Sequence, residues 1–569
     1  MSTTGIARVI PGVAALSGYQ KSWLPKDIMA GLVLSALLVP QGMAYAELAG
    51  LPAVTGLYTS ILCLIGYAIF GPSKILVLGP DSSLGPMIAA TILPLVGANG
   101  DPARAIALAS MLAIFTGAIM VGAGIGKFGF VADLLSKPTI LGYMNGLALT
   151  IIVGQLPKLL GFSVDADNFI GELRGVINGV LSGEIVVAAA AVGLFSLVLI
   201  LILQRLLPKL PAVLVAVVAA IGATIVWDLG ARGVKLVGTL PQGLPALQFP
   251  SVGLSDLLPL FGGAMGIALV ALADTISTAT SFAERQGEEV DGDKEMIGIG
   301  AANIAAGMFQ GFPVSTSGSR TAVAEQSGAK TQLTGLVGAL VIGVMLLALP
   351  ALFAYLPQPT LGAVVITAAI SLADLPGTRR LWVQRRGDFA ISIMAFLGVV
   401  LLGVLPGIVV AIVISAGNVF RRAWWPYQAR LGRVPELRGL HDVSRYPNAQ
   451  HMPGCVIFRF DAPLIFANAR TFRDSVRTMA EALPEHGWVI VAAEPITDVD
   501  TTGCDMLEDL VTLLDGQGRK LVLAELKDPV RAKLTQYGLS AVLSEDHFFP
   551  TVHSAVDAYQ AVSGAVWTP

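Results

Sequence analysis

The run Gly311-Phe-Pro-Val-Ser-Thr-Ser-Gly-Ser-Arg-Thr-Ala-Val323 sets one guanidinium, that of Arg320, among hydroxyl side chains and between long apolar segments. Such flanks suit a lipid bilayer, and an ionisable residue inside a membrane segment is costly enough to mark a functional site by default. A cation at that depth calls for an anion. Composition agrees: 54% hydrophobic and 13% charged residues over 569 positions, with a mean hydropathy of +0.73, describe a polytopic membrane protein rather than a soluble globule. A formal net charge of -3 supplies no basic surface for nucleic acid. Three cysteines, Cys63, Cys455 and Cys504, without a CxxC pairing predict neither a disulfide framework nor a zinc site, and no cofactor is expected.

The chain divides near residue 425. Before it, apolar stretches close to the ~20 residues that cross a bilayer follow one another, from Ile28–Tyr45 to Ile408–Ala416. Shorter or glycine-interrupted ones lie at Leu84–Leu95, Met296–Met308 and Leu361–Leu372. Residues 1–27 lack the pattern of a cleaved signal, so the first stretch is expected to be retained as a span. Lys74, Lys127, Lys137, Arg205, Lys209, Arg285, Lys294, Lys330, Arg379, Arg380, Arg385, Arg386, Arg421 and Arg422 fall mostly in alternate loops. The positive-inside rule then predicts cytoplasmic termini and an even number of spans in a cell membrane. Residues 426–438 read as a linker, and 439–569 as a soluble domain of alternating strands and helices with a mainly parallel sheet. Its strands are expected at Val456–Phe460, Leu464–Phe466, Val489–Ala493 and Lys520–Ala524.

Two segments of the membrane part match. Lys74-Ile-Leu-Val-Leu-Gly-Pro-Asp-Ser-Ser-Leu-Gly-Pro-Met87 runs extended, breaks at Gly79-Pro80 and is expected to begin a short helix with Ser82 and Ser83 in its first turn. The opening run does the same, breaking at Gly318 with Ser319 and Arg320 in the first turn. Helix N-termini carry unpaired N–H groups and a partial positive charge, so two such ends facing each other would cage an anion. Paired discontinuous helices in two halves are the sequence mark of a secondary transporter's site. Two plainer readings stand beside this one. Arg320 pairs with a carboxylate, Asp274 or Asp81, or the serines are ordinary N-caps.

Asp274 follows an apolar run with no basic neighbour. Desolvation raises a carboxylate's pKa, which suits a proton carrier; with Thr275 and backbone carbonyls the same residue suits Na⁺. A static pair with Arg320 is the third reading.

The segment Val39-Pro-Gln-Gly-Met-Ala-Tyr-Ala-Glu-Leu-Ala-Gly-Leu-Pro-Ala-Val-Thr-Gly-Leu-Tyr58 resembles the signature of the sulfate permease family, which includes the solute carrier family 26 anion transporters. Ser317-Gly-Ser-Arg-Thr-Ala-Val323, Gly328-Ala-Lys-Thr-Gln-Leu333 and Gly300-Ala-Ala-Asn-Ile304 are similar to that family too. The resemblance implies about fourteen segments in two inverted seven-helix repeats, a core and a gate, commonly a homodimer, and elevator-like transport. It places the anion against Gln41, Tyr45, Asp81, Ser82, Ser319 and Arg320. Asp81 departs from relatives that carry an apolar residue or threonine there, so it is either protonated during binding or turned away as a cap. The soluble part resembles a STAS domain. Asp500-Thr-Thr-Gly-Cys504 matches that domain's turn, which implies Thr501 as a regulatory phosphorylation position and a cytoplasmic protein as partner; the plainer reading is that its hydroxyl caps the helix.

These readings converge on secondary active uptake of an oxyanion, sulfate first, coupled to protons. Na⁺-coupled bicarbonate transport, proton-coupled dicarboxylate transport and a passive anion channel are the alternatives. An enzyme is not expected, since His441, His451, His486, His547 and His553 all lie in the soluble part and form no catalytic or metal-binding spacing.

Overall fold

The computed structural model describes residues 11–12, 18–97, 100–128, 136–166, 168–207, 210–287, 289–435 and 437–567. Lys209, read above as part of a basic loop, and residues 1–10 and 13–17 of the N-terminal segment lie outside the described residues. The first half of the membrane part comprises α1 (Leu24–Leu48), α2 (Ala53–Phe70), a strand β1 (Leu78–Gly79) leading to α3 (Gly85–Val96), α4 (Pro102–Ile125), α5 (Lys137–Leu160), α6 (Phe169–Leu181), α7 (Val187–Leu206) and α8 (Ala212–Trp227). The second half comprises α9 (Leu254–Gln286), α10 (Gly292–Met308), β2 (Ser315–Thr316) leading to α11 (Gly318–Gln326), α12 (Leu333–Ala348), α13 (Gln358–Leu372), α14 (Leu375–Gln384), α15 (Arg386–Leu402) and α16 (Val404–Trp424). Helix α6, which holds Glu172 and Arg174, and helix α14, which holds Arg379 and Arg380, are short charged helices that follow the fifth segment of each half; α3 and α11 are short too, but each continues from a strand, β1 or β2, and makes one segment with it. The rest make seven segments per half among the described residues. An odd number of crossings starts the second half on the opposite face, so two like halves are inverted.

Packing sorts the helices by the same rule in both halves. The first four segments of each, α1–α4 and α9–α12, pack into one bundle; α5, α7 and α8 join α13 and α15 in another. Helix α16 lies on α15, where a Cβ on Gly407 would fall 2.7 Å from Val399 Cα. Small residues allow such approaches without a hydrophobic drive between helices. A Cβ on Gly56 would lie 1.9 Å from Gly42 O where α1 crosses α2, and one on Gly117 would lie 2.4 Å from Gly300 O where α4 crosses α10.

Helix α9 runs through 33 residues, well beyond its apolar stretch Phe261–Leu272 on both sides. Polar residues beyond the apolar run do not stop it because they find partners. Asp256 in its first turn takes Arg104 Nη2 at 3.2 Å and the Gly253 N–H at 3.0 Å.

Residues 416–569 form a second compact unit, so the division falls at Ser415/Ala416, within α16 and before the expected residue 425. After α16 come β3 (Gln428–Arg433), β4 (Leu440–Asp442), β5 (Cys455–Phe460), α17 (Ala469–Glu481), β6 (Trp488–Ala492), α18 (Thr501–Gly516), β7 (Lys520–Ala524), α19 (Asp528–Gln536), β8 (Phe548–Phe549) and α20 (Val552–Ser563). The sheet order is β4-β3-β5-β6-β7-β8. Strands β5 to β8 are parallel, but β3 pairs antiparallel with both β4 and β5. Residues 426–438 are therefore not a linker. Gln428–Arg433 is the first strand of an edge hairpin, with Ala429 buried on one face and Gln428 and Arg430 exposed on the other. Leu464–Phe466 is not a strand either: Leu464 makes one parallel bridge to Val499, and the chain then turns into α17.

Candidate functional site

Two extended segments cross in the first bundle. Leu78 pairs with Thr316 and Gly79 with Ser315, antiparallel. Irregular backbone at membrane depth is tolerable only when its polar groups are satisfied by protein. Helix side chains do this here. Asn303 on α10 holds the Val314 N–H at 2.9 Å and donates to Val314 O at 3.2 Å. Thr59 Oγ1 on α2 takes the Phe312 N–H at 3.1 Å, and Thr321 Oγ1 takes the Val77 N–H at 3.1 Å. Gln332 Nε2 donates to Ser73 O and Leu76 O, each at 2.9 Å.

Each crossing strand runs into a helix start. At α11, Ser317 is the N-cap, its hydroxyl taking the Arg320 N–H at 3.4 Å, and Ser319 and Arg320 sit in the first turn as expected. At α3 the picture differs. Ser82 and Ser83 form a turn before the helix, which begins at Gly85, because the Asp81 carboxylate accepts from Ser83 N at 2.9 Å and Ser83 Oγ at 2.7 Å. Asp81 is thus the local capping acid, and Ser83 Oγ also reaches Asp274 Oδ2 at 3.3 Å. None of Ser82, Ser83 and Ser319 is an N-cap; the capping hydroxyl at α11 is that of Ser317.

Arg320 is 1% exposed. Its Nη1 donates to Pro80 O at 2.6 Å, while Nε and Nη2 have no hydrogen-bond partner among the described residues. Its nearest carboxylate is Asp81, Oδ2 to Nη2 3.7 Å, rather than Asp274. That pair is too long for a hydrogen bond, so it offsets charge without saturating the donors. Gly79 makes the close approach possible, since a Cβ there would lie 3.2 Å from Nη1.

A cavity of about 1040 Å³ opens in front of this constellation. Gln41 and Tyr45 of α1, Asp81 and Ser82, Asp274 and Thr278 of α9, and Ser319 and Arg320 all line it. Ser83 and Thr275 do not. Ser83 is fully buried behind Asp81, and Thr275 donates to Ala271 O at 2.6 Å and faces Thr316 Oγ1 at 3.4 Å. The second bundle closes the opposite wall with Gln204, Val213, Val364, Thr367 and Ser371. Sequence reasoning missed Thr278 and the polar residues of that wall. Thr278 was legible as the residue one helical turn beyond Asp274 on the same face, but Gln204 and Thr367 come from α7 and α13, which no local pattern brings together.

In the second unit Asp500 caps α18, accepting from Gly503 N at 2.7 Å, and also takes Phe466 N at 2.7 Å. The hydroxyl of Thr501 is not the cap. Its residue is the exposed first position of the helix.

The sulfate permease family pattern matches residues 24–395, and that of the STAS domain residues 446–555. The chain belongs to the sulfate permease family. This permease is 39% identical over 551 residues to a probable sulfate transporter of Mycobacterium tuberculosis, covering 97% of this chain and 98% of that one. It is 30% identical to sulfate transporter 1.3 of Arabidopsis thaliana, covering 97% and 88%. Among solved structures, murine solute carrier 26 family member A9, an anion transporter in the inward-facing state, superposes with a TM-score of 0.90 at 24% identity, covering 99% and 95%. The transmembrane domain of the cyanobacterial bicarbonate transporter BicA gives 0.61 at 23%, covering 70% and 99%. The permease therefore shares the fold of the first over nearly its whole length and that of the second over 70% of it.

Proposed function

We propose that the permease is a secondary active transporter of an inorganic oxyanion, sulfate first, taken up with protons by an elevator-like movement of the first bundle against the second. The carrying observation is the buried Arg320 guanidinium, whose Nε and Nη2 have no protein acceptor, behind two helix starts in a wide cavity. Backbone N–H groups at helix starts recognise oxyanion charge and size, and the guanidinium offsets the cost of bringing that charge to membrane depth. Gln41, Tyr45, Ser82 and Ser319 supply neutral polar contacts on the cavity wall. The permease's likeness to sulfate transporters supports sulfate as first choice.

Asp274 is the coupling group in this reading. It lines the same cavity and touches Ser83, which is bonded to Asp81, so its charge state and the anion's sense one another through one short chain. Thr278 beside Asp274 favours a second reading in which Na⁺ replaces the proton. Both termini face the cytoplasm by the lysine and arginine distribution. A homodimer in the cell membrane, and a cytoplasmic protein partner with Thr501 as its regulatory position, complete the proposal.

The test is radiolabelled uptake of sulfate, bicarbonate and succinate into proteoliposomes under an imposed proton or Na⁺ gradient. Sulfate uptake should rise with the proton gradient. Arg320→Ala should cost on the order of 2–3 kcal/mol, roughly 30–150-fold in apparent affinity. Full uptake by that variant would refute the site, and uptake indifferent to both gradients would point to a channel.

A further inference from the structure

A second cavity, about 430 Å³, lies between the two bundles and is lined by Glu47, Lys158, Thr239 and Gln358 among others. It lies at the opposite end of the bundles from the mouth of the anion cavity, as α13 makes plain. Gln358 at the start of that helix lines the small cavity, and Leu372 at its end lines the large one, a rise of about 20 Å. At the large cavity's mouth Gln204, Leu210, Gln326 and Ser371 are exposed. At the other end Leu51, Ala53 and Val54 of the small cavity's lining are buried, beneath an exposed rim at Thr239 and Pro241.

Glu47 and Lys158 form an ion pair across that buried end, both side chains less than a quarter exposed. Glu47 belongs to α1 of the first bundle and Lys158 to α5 of the second. Each occupies the last turn of its helix. There a lysine suits the negative end of the helix dipole, but a glutamate opposes it. Glu47 therefore gains nothing from its own helix, and its partner is on the other bundle. The same helix α1 lines the anion cavity with Gln41 and Tyr45, so any movement of those residues relative to the second bundle must break the pair.

We infer that Glu47 and Lys158 are a latch that holds the permease closed at this end and must part for the anion site to open there. Lys158, once released, presents an unpaired cation to the approaching anion. The inference rests on the alternating-access reading above, and the experiment separates the two.

Cysteines are introduced as Glu47→Cys with Lys158→Cys; the native Cys63, Cys455 and Cys504 are buried. A short, reducible bis-methanethiosulfonate joins them in proteoliposomes, with cross-linking followed by mass spectrometry. Radiolabelled sulfate uptake should fall to background in the cross-linked protein and return on reduction, which also shows that the protein was folded throughout. Undiminished uptake through the cross-linked protein would overturn the latch and leave the transport reading intact. No uptake by the unsubstituted permease would overturn the transport reading, and the latch with it. The charge requirement has its own arm. Lys158→Glu should slow uptake by at least roughly fivefold through like-charge repulsion, and the exchanged pair Glu47→Lys with Lys158→Glu should restore it. Failure of the exchange to restore uptake would show that the pair's attraction is not what matters.

Discussion

Arg320 and Asp27 show two ways a buried charge is accommodated in this membrane bundle. Arg320 keeps donors free and faces a cavity, as a binding group does. Asp27, 0% exposed in α1, is saturated. It accepts from Lys330 N at 2.6 Å, Thr331 N at 3.1 Å, Thr331 Oγ1 at 2.8 Å and Thr334 Oγ1 at 3.1 Å. It thereby caps α12 from another helix, an acid at the positive end of the dipole. Asp27→Ala should strip several buried donors at once and cost about 3 kcal/mol or more. Thermal unfolding in detergent should register this as a clear drop, with Asp27→Asn in between. Unchanged stability would mean that water replaces the carboxylate. The sequence shows Asp27 only as a charge before the first apolar run, since all its partners but the Tyr19 hydroxyl lie some three hundred positions away.

At the scale of elements, the two broken helices were readable because Gly-Pro and Gly-Ser breaks inside apolar sequence leave few other structures. Their pairing as β1 and β2 was not, because two-residue strands have no periodicity to detect. The helix crossings were equally hidden. Gly42 and Gly56 look like ordinary membrane glycines until α1 is laid on α2 with a Cβ at Gly56 only 1.9 Å from Gly42 O. Backbone cannot yield as a side chain can, so Gly56→Ala should force α1 and α2 apart at a cost of about 1–3 kcal/mol. Gln41 and Tyr45 ride on α1, so the variant should also lower sulfate affinity. Gly122→Ala, where nothing lies within 4 Å, is the control and should leave stability unchanged or slightly raised. Equal behaviour of the two variants would show that the crossing tolerates separation.

Across the whole molecule, the four-then-three order of segments in each half puts the cavity in front of Arg320 where the bundles meet. Its walls come from α1, α9 and the two crossing segments on one side and from α7, α8 and α13 on the other. Transport as a property of that arrangement makes a prediction about Asp274. A one-unit pH gradient stores about 1.4 kcal/mol per proton, so one-for-one symport at zero membrane potential supports about tenfold accumulation. Asp274→Asn should abolish that accumulation in proteoliposomes while sulfate exchange between equal concentrations continues. Accumulation that survives would remove Asp274 from the coupling role. By itself the sequence determined the membrane class, the position of Arg320 and Asp274, the two helix breaks and the soluble α/β unit, because hydropathy, breakers and lone charges are local signals. Only the tertiary structure decided that Asp81, not Asp274, neighbours Arg320, that Gln428–Arg433 pairs with Leu440–Asp442 as an edge hairpin, and that Glu47 meets Lys158. Each of those depends on which distant segments pack together, and packing is settled by the fit of whole helices and strands rather than by any residue's neighbours in the chain.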